Sequence, residues 1–123
     1  MKLHLARAAG RNLFSGYGAG YVAINGERYQ RNVIVLPDRV VDWEIEGFEA
    51  LSKAAFESLA RLPIDVLVLG TGPTLRFPAA GDLRSLADAG IGLEVMDTQA
   101  ACRTYNVLLS EDRRVAAAIL VSG

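Results

Sequence analysis

Residues 64–78, IDVLVLGTGPTLRFP, constrain the fold of this chain more than any other stretch. From Ile64 to Leu69 only Asp65 is polar, and the run stops at Gly70-Thr71-Gly72-Pro73. A short, continuous apolar run closed by Gly and Pro reads as a strand buried on both faces, so layers must cover it on each side. The glycines that follow let the backbone turn sharply and leave amides uncovered by side chains, which is how a strand end becomes a binding edge. The run therefore marks where a site can lie without stating its chemistry.

Downstream, the pattern predicts a short helix over residues 82–89, stopped by Gly90 in the left-handed conformation, and then a strand over residues 92–96. Asp97 or Thr98 caps a further helix that runs to about Leu109. On that helix Ala101, Tyr105, Leu108 and Leu109 face inward, and Gln99, Arg103 and Asn106 share the outer face. Glu111-Asp112 turns the chain into a last buried strand over residues 115–121, whose direction the sequence leaves open.

Upstream, a brief alternation over residues 2–6 reads as an edge strand. Gly16, Gly18 and Gly20 in GYGAGYVAING invite a dinucleotide-fingerprint reading. It fails on context, because a pyrophosphate loop follows a strand and opens a helix, whereas these glycines precede β-type sequence. Asn25-Gly26 is a strong hairpin signal, predicting that residues 21–24 and 28–36 pair, with VIVLP as the buried end. After the Pro37-Asp38 turn, residues 40–45 read as a strand with Val41, Trp43 and Ile45 on one face. Trp43 marks either core packing or a binding surface. Residues 48–62 have helical period, with Phe48, Leu51, Ala55, Leu59 and Leu62 as the apolar stripe and Pro63 as the stop. The expectation is a single α/β domain over residues 1–123. It has three layers: a central mixed β-sheet, flanking helices and a small additional β layer formed by the hairpin.

Composition removes several function classes. A formal charge of −1 supplies no field for nucleic acid or an anionic membrane. The longest apolar run falls far short of the roughly 20 residues that span a bilayer, so no direct membrane insertion is expected. The apolar part of MKLHLARAAGRNL is too short for a signal peptide, and one cysteine forms no internal disulfide, so the expected location is cytoplasmic. With a single histidine, His4, and a single cysteine, Cys102, neither a metal cluster nor a Ser-His-Asp or Cys-His arrangement is organised. No metal and no cofactor is expected. Asp65 and Asp97 fall at opposite sheet edges, which separates the one pair of carboxylates that acid–base catalysis would use.

The one constellation with chemical content is the carboxyl edge of the sheet. If the strands over residues 64–69 and 92–96 run parallel, Gly70, Thr71 and Gly72 border one crevice with the helix start at Asp97-Thr98. Amides and a helix N-terminus favour an anion, and Arg76 adds positive charge. Against this, Asp97 places a negative charge where the anion would sit, and no P-loop lysine is present. The bland alternative is that the glycines permit tight packing.

These motifs carry a resemblance. GYVAINGERYQRNVIVLPDRVVDW, DVLVLGTGPTLRFP and GIGLEVMDTQAACRTYNVLLSEDRRVAAAIL resemble a family of small domains of unknown function that includes mitochondrial complex I assembly factor 3 and the adipogenesis-associated domain protein. The likeness covers roughly residues 15 to 121. LGTG alone is weak; its combination with MDTxxAxRTYN and the terminal apolar strand is specific. The resemblance implies the three-layer α/β fold with a mixed sheet and a small β layer. It carries over no catalytic residue. The positions that match its motifs are Gly70, Thr71, Gly72, Asp97, Thr98, Arg103, Tyr105 and Asn106. The mitochondrial members act by association during assembly of a respiratory complex, and the N-terminus here reads as lacking their targeting extension, so a cytoplasmic, bacterial-type member is expected. The first functional expectation is a non-enzymatic interaction or complex-assembly module. Its unknown protein partner would be, by resemblance, a subunit or assembly factor of a membrane or respiratory complex. The candidate contact residues are Gly70, Thr71, Gly72, Arg76, Asp97, Thr98, Arg103 and Asn106. The alternative is a binder of, or enzyme on, a small anionic ligand at the edge formed by Gly70–Gly72 and Asp97-Thr98.

Overall fold

The computed structural model describes residues 10–122; the alternation over residues 2–6 lies outside them. Its architecture follows from two strands that are apolar on both sides. β6 (Val66–Thr71) and β8 (Val115–Leu120) are buried at every position, so each needs a strand on either side and a layer on either face. β8 runs parallel to β6 on one flank and antiparallel to β4 (Val33–Leu36) on the other, and β6 pairs in parallel with β7 (Gly92–Met96). With β5 (Arg39–Asp42) antiparallel to β4, the order is β5-β4-β8-β6-β7. The direction of the last strand, open in the sequence, is thereby set.

One face of this mixed sheet presents Leu36, Leu67, Leu69, Ala116 and Ala118. It is covered by Phe56 and Leu59 of α1 (Lys53–Leu59) and Leu86 of α2 (Arg84–Asp88). The other face presents Val35, Val68, Ala117 and Ile119 to Ala101, Cys102, Tyr105 and Leu109 of α3 (Thr98–Ser110). Beside α3 lies a three-stranded antiparallel sheet, β1 (Phe14–Gly18), β2 (Tyr21–Ile24) and β3 (Glu27–Tyr29), which contributes Phe14, Val22 and Ile24 to the same core. Phe14 and Tyr105 meet edge to face, 5.3 Å between centroids. The three-layer α/β class with a mixed sheet and an added β layer is therefore the observed one.

Several local expectations are corrected. The Asn25-Gly26 turn forms, with both residues at positive φ (50° and 85°), but it joins β2 to the short β3 only. The expected second arm, residues 28–36, breaks at Gln30–Asn32, and VIVL enters the five-stranded sheet as β4. Asn32 fixes that crossing: its Nδ2 donates to the Ile45 carbonyl (2.8 Å) and its Oδ1 accepts from the Val121 amide (2.9 Å). β5 stops at Asp42 rather than reaching Ile45: Trp43 N still donates to Asn32 O in register, but Ile45 N turns back onto Trp43 O and the pairing ends. The helix expected over residues 48–62 splits into a 3₁₀ turn, Phe48–Ala50, and α1. Ser52 separates them, its hydroxyl accepting from Ala55 N as an N-cap. α1 then ends at Leu59, before Pro63 is reached. Phe56, absent from the expected stripe, is the deepest side chain of α1 with no exposed surface. The helix expected over residues 82–89 begins as a 3₁₀ turn, Ala80–Leu83, and Gly90 follows it at φ 73°.

Cys102 is 1% exposed, and burial pushes its thiol from 9.0 up to about 12. It is a small core residue. Ellman's reagent at pH 8 is expected to leave it unmodified until denaturant is added. Because the thiol of the unfolded chain ionises first, native stability falls as pH rises from about 9 towards 12. Comparing urea midpoints of the wild type and Cys102→Ala across that range checks it: the alanine variant should lose less.

Candidate functional site

The carboxyl ends of β6, β7 and β8 lie side by side, and one buried hydroxyl ties two of them to α3. Thr98 Oγ1 donates to the Leu120 carbonyl at the end of β8 (2.6 Å) and accepts from Gly72 N just past β6 (2.9 Å). The Thr98 amide in turn donates to Gly72 O (2.9 Å). Thr71 makes a second knot: its hydroxyl donates to Thr74 O (2.7 Å), lies 3.3 Å from Met96 O and accepts from Arg76 N (3.2 Å). Asp97 is the N-cap of α3, its carboxylate accepting from Ala100 N.

Two expectations about this edge change. Gly70 and Thr71 belong to β6 rather than to the loop, and Gly70 is paired on both sides, with Met96 and Ile119. A Cβ at Gly70 would come within 2.9 Å of Thr98 Oγ1, 3.0 Å of Ile119 Cδ1 and 3.1 Å of Ala101 Cβ, so glycine here lets α3 sit close on the sheet. Gly72, at φ 91°, makes the turn. Its amide, expected to await an anion, is spent on Thr98, and the first turn of α3 carries the Asp97 carboxylate. Arg76 does not line the crevice either. Its guanidinium pairs with Glu49, holding that carboxyl below its ordinary range, and stacks 4.2 Å from the Phe48 ring centroid.

Arg103 and Asn106 were expected on a free outer face with Gln99, and the structure gives that face a different job. Asn106 donates to Phe14 O (2.8 Å) and accepts from Phe14 N (3.0 Å), while Arg103 donates to the Tyr17 hydroxyl (2.8 Å). The polar stripe of α3 is the seam on which β1 is mounted. At the far end of that seam Gln99, Gly72, Pro73 and Thr98 meet Val121, Ser122 and the β1–β2 turn at Gly18–Gly20, enclosing a pocket of about 320 Å³. Thus the GYGAG glycines close over the LGTG edge. Sequence reasoning missed this, since it tested those glycines only for phosphate binding. A Cβ at Gly18 would meet the Tyr21 ring at 2.4 Å, a contact set by the folded turn and without a sign in the sequence.

From this edge the loop over residues 72–79 projects Leu75, 50% exposed, and Phe77, 70% exposed. The loop is nonetheless fixed, by the Thr71 hydroxyl at its root and by Arg76 on Phe48 and Glu49. No helix among the described residues is long and apolar enough to cross a membrane, and no group of three or more His, Cys, Asp or Glu among them is placed to hold a metal.

The chain as a whole is similar to several known proteins. An uncharacterised protein of Rhodobacter capsulatus is 37% identical over 112 residues, 91% of this chain and 86% of that protein. The bovine NADH dehydrogenase [ubiquinone] 1 alpha subcomplex assembly factor 3 is 31% identical over 106 residues, 85% of this chain. The match spans 58% of the bovine protein's length. A crystal structure of a Bordetella parapertussis protein superposes with a TM-score of 0.86 at 33% identity, covering 92% of this chain and 98% of that one. A family model described as "Protein of unknown function (DUF498/DUF598)" matches residues 14–120.

Proposed function

This chain belongs to the DUF498/DUF598 family, and from that premise we propose that it is a non-enzymatic protein-interaction or complex-assembly module acting in the cytoplasm. The observation that carries the reading is the pair Leu75 and Phe77, large apolar side chains held out in water on a loop that is itself pinned. Water contact on a fixed apolar pair is unfavourable for a free protein and becomes favourable once a partner covers it. The name of the bovine relative, an assembly factor, supports the same reading. The partner proposed is a subunit or assembly factor of a membrane or respiratory complex.

In this reading Leu75 and Phe77 are the anchors and Arg103 a rim contact. Gly70, Thr71, Gly72, Asp97 and Thr98 shape the loop's root, Arg76 braces the loop, and Asn106 holds the neighbouring β layer. Phe77→Ala is expected to weaken partner binding about tenfold or more while changing folding stability by less than about 0.5 kcal/mol. Native mass spectrometry of tagged wild type and variant, gently purified from the native host, tests it. A protein partner retained by wild type and lost by Phe77→Ala supports the module. A bound small mass in its place, or a partner indifferent to Phe77, sinks this assignment.

A further inference from the structure

The sheet face that carries α1 is not fully covered. At its β5 end a groove of about 740 Å³ runs between the sheet and α1. Its floor is Ile34, Val41 and Trp43; Ile34 and Val41 are directly paired across β4 and β5, and Val41 is 41% exposed. The wall on α1 is made of the small residues Ala54, Ala55 and Ser58. β5 is the last strand of the sheet, so the groove is open on its far side.

The charge around it has one sign. Asp42, Glu44 and Glu46 line the groove and no Lys or Arg does, among the described residues. Asp42 is answered by Arg31 (2.6 Å), whereas Glu44 and Glu46, both exposed, make no ion pair with any described residue. A smaller depression continues past Glu46 to Glu49. An apolar floor, a wall low enough for a backbone to approach closely, and an acidic rim together match a helix with an apolar stripe flanked by cations. The same rim repels an anionic membrane surface.

We propose that the groove between α1 and β5 docks an amphipathic, basic helix of a partner protein, completing the helical layer over Ile34, Val41 and Trp43. The proposal rests on the interaction reading above but uses a different face from Leu75 and Phe77. In this arrangement apolar residues of the partner helix at i, i+3, i+4 and i+7 cover the floor. Lysines or arginines beside them meet Glu44 and Glu46.

Trp43 is the only tryptophan of the chain, so its fluorescence reports the groove directly. The probe is a tryptophan-free synthetic helix of about 18 residues, with leucines at i, i+3, i+4 and i+7 and lysines elsewhere. Its counterpart carries glutamates for the lysines. A saturable blue shift of Trp43 with the lysine peptide is expected, and little with the glutamate peptide. Glu44→Lys together with Glu46→Lys should weaken the lysine peptide about tenfold or more, and Val41→Asp should abolish the shift. Phe77→Ala should bind the lysine peptide as wild type does, which separates this groove from the carboxyl-edge loop. Absence of a saturable shift, equal binding of both peptides, or loss of binding on Phe77→Ala overturns the proposal. So does a shift without peptide that grows with protein concentration, which assigns the groove to a second copy of this chain.

Discussion

Thr98→Val is expected to destabilise the fold by about 3 kcal/mol, lowering the thermal midpoint by about 10 °C for a chain of this length. Valine fills nearly the same volume, so the loss isolates the hydroxyl. That single oxygen donates to Leu120 O and accepts from Gly72 N in a site only 7% exposed. Its removal leaves a buried carbonyl and a buried amide without partners, each costing about 1–3 kcal/mol. Thr98→Ser keeps the oxygen and should recover most of the loss. Urea unfolding of the three proteins checks this, with the slope of the transition unchanged. If valine is tolerated and serine costs more, the methyl group rather than the hydrogen bonds matters, and the knot is a packing feature.

Gly70→Ala should cost about 2–3 kcal/mol through overpacking, unusual for the addition of one methyl group. The new Cβ lands within 3.1 Å of three groups, and none is the loose end of an exposed side chain. Thr98 is locked by its own hydrogen bonds, Ile119 is fully buried in β8, and Ala101 Cβ is fixed to the helix. Relief requires α3 to lift from the sheet, which would strain the bonds that Thr98 makes. The steric origin can be read from a double-mutant cycle with Ile119→Val, which removes the Cδ1 that lies 3.0 Å away. Alone, that change costs about 0.5–1.5 kcal/mol. Combined with Gly70→Ala it should cost clearly less than the sum. Strict additivity would place the strain elsewhere.

The legible parts of the fold were those in which one local pattern has one physical solution. An apolar run buried on both sides leaves β6 no place but a sheet interior, and Asn25-Gly26 admits little besides a tight turn. A cap for α3 at Asp97 or Thr98 was readable for the same reason, and the structure puts it at Asp97. Less legible were features decided by partners distant in sequence. Asn106 is polar and helical, so it reads as solvated; only β1, brought from the other end of the chain, turns it into a clamp on Phe14. The split at Ser52 is a competition that periodicity does not weigh, because the serine hydroxyl offers the backbone an N-cap within a stripe that otherwise continues. At the candidate site the residues were found and their availability was not. Gly72 and Thr98 do border a pocket, but their polar groups are turned on each other.

The position of β8 has a consequence for biosynthesis. Residues 115–120 form the strand on which β4 and β6 both zip, so the two flanks of the sheet share no ladder until this segment arrives. During translation the growing chain can close the β4–β5 hairpin and pair β6 with β7, but it holds two half-sheets with exposed apolar edges until the segment that joins them clears the ribosome. The interval before β8 pairs is when such a chain is most open to aggregation and most dependent on chaperones. Completion of the sheet therefore waits for residues 115–120, and a ribosome that stalls before residue 115 leaves an unfinished sheet that quality control can recognise.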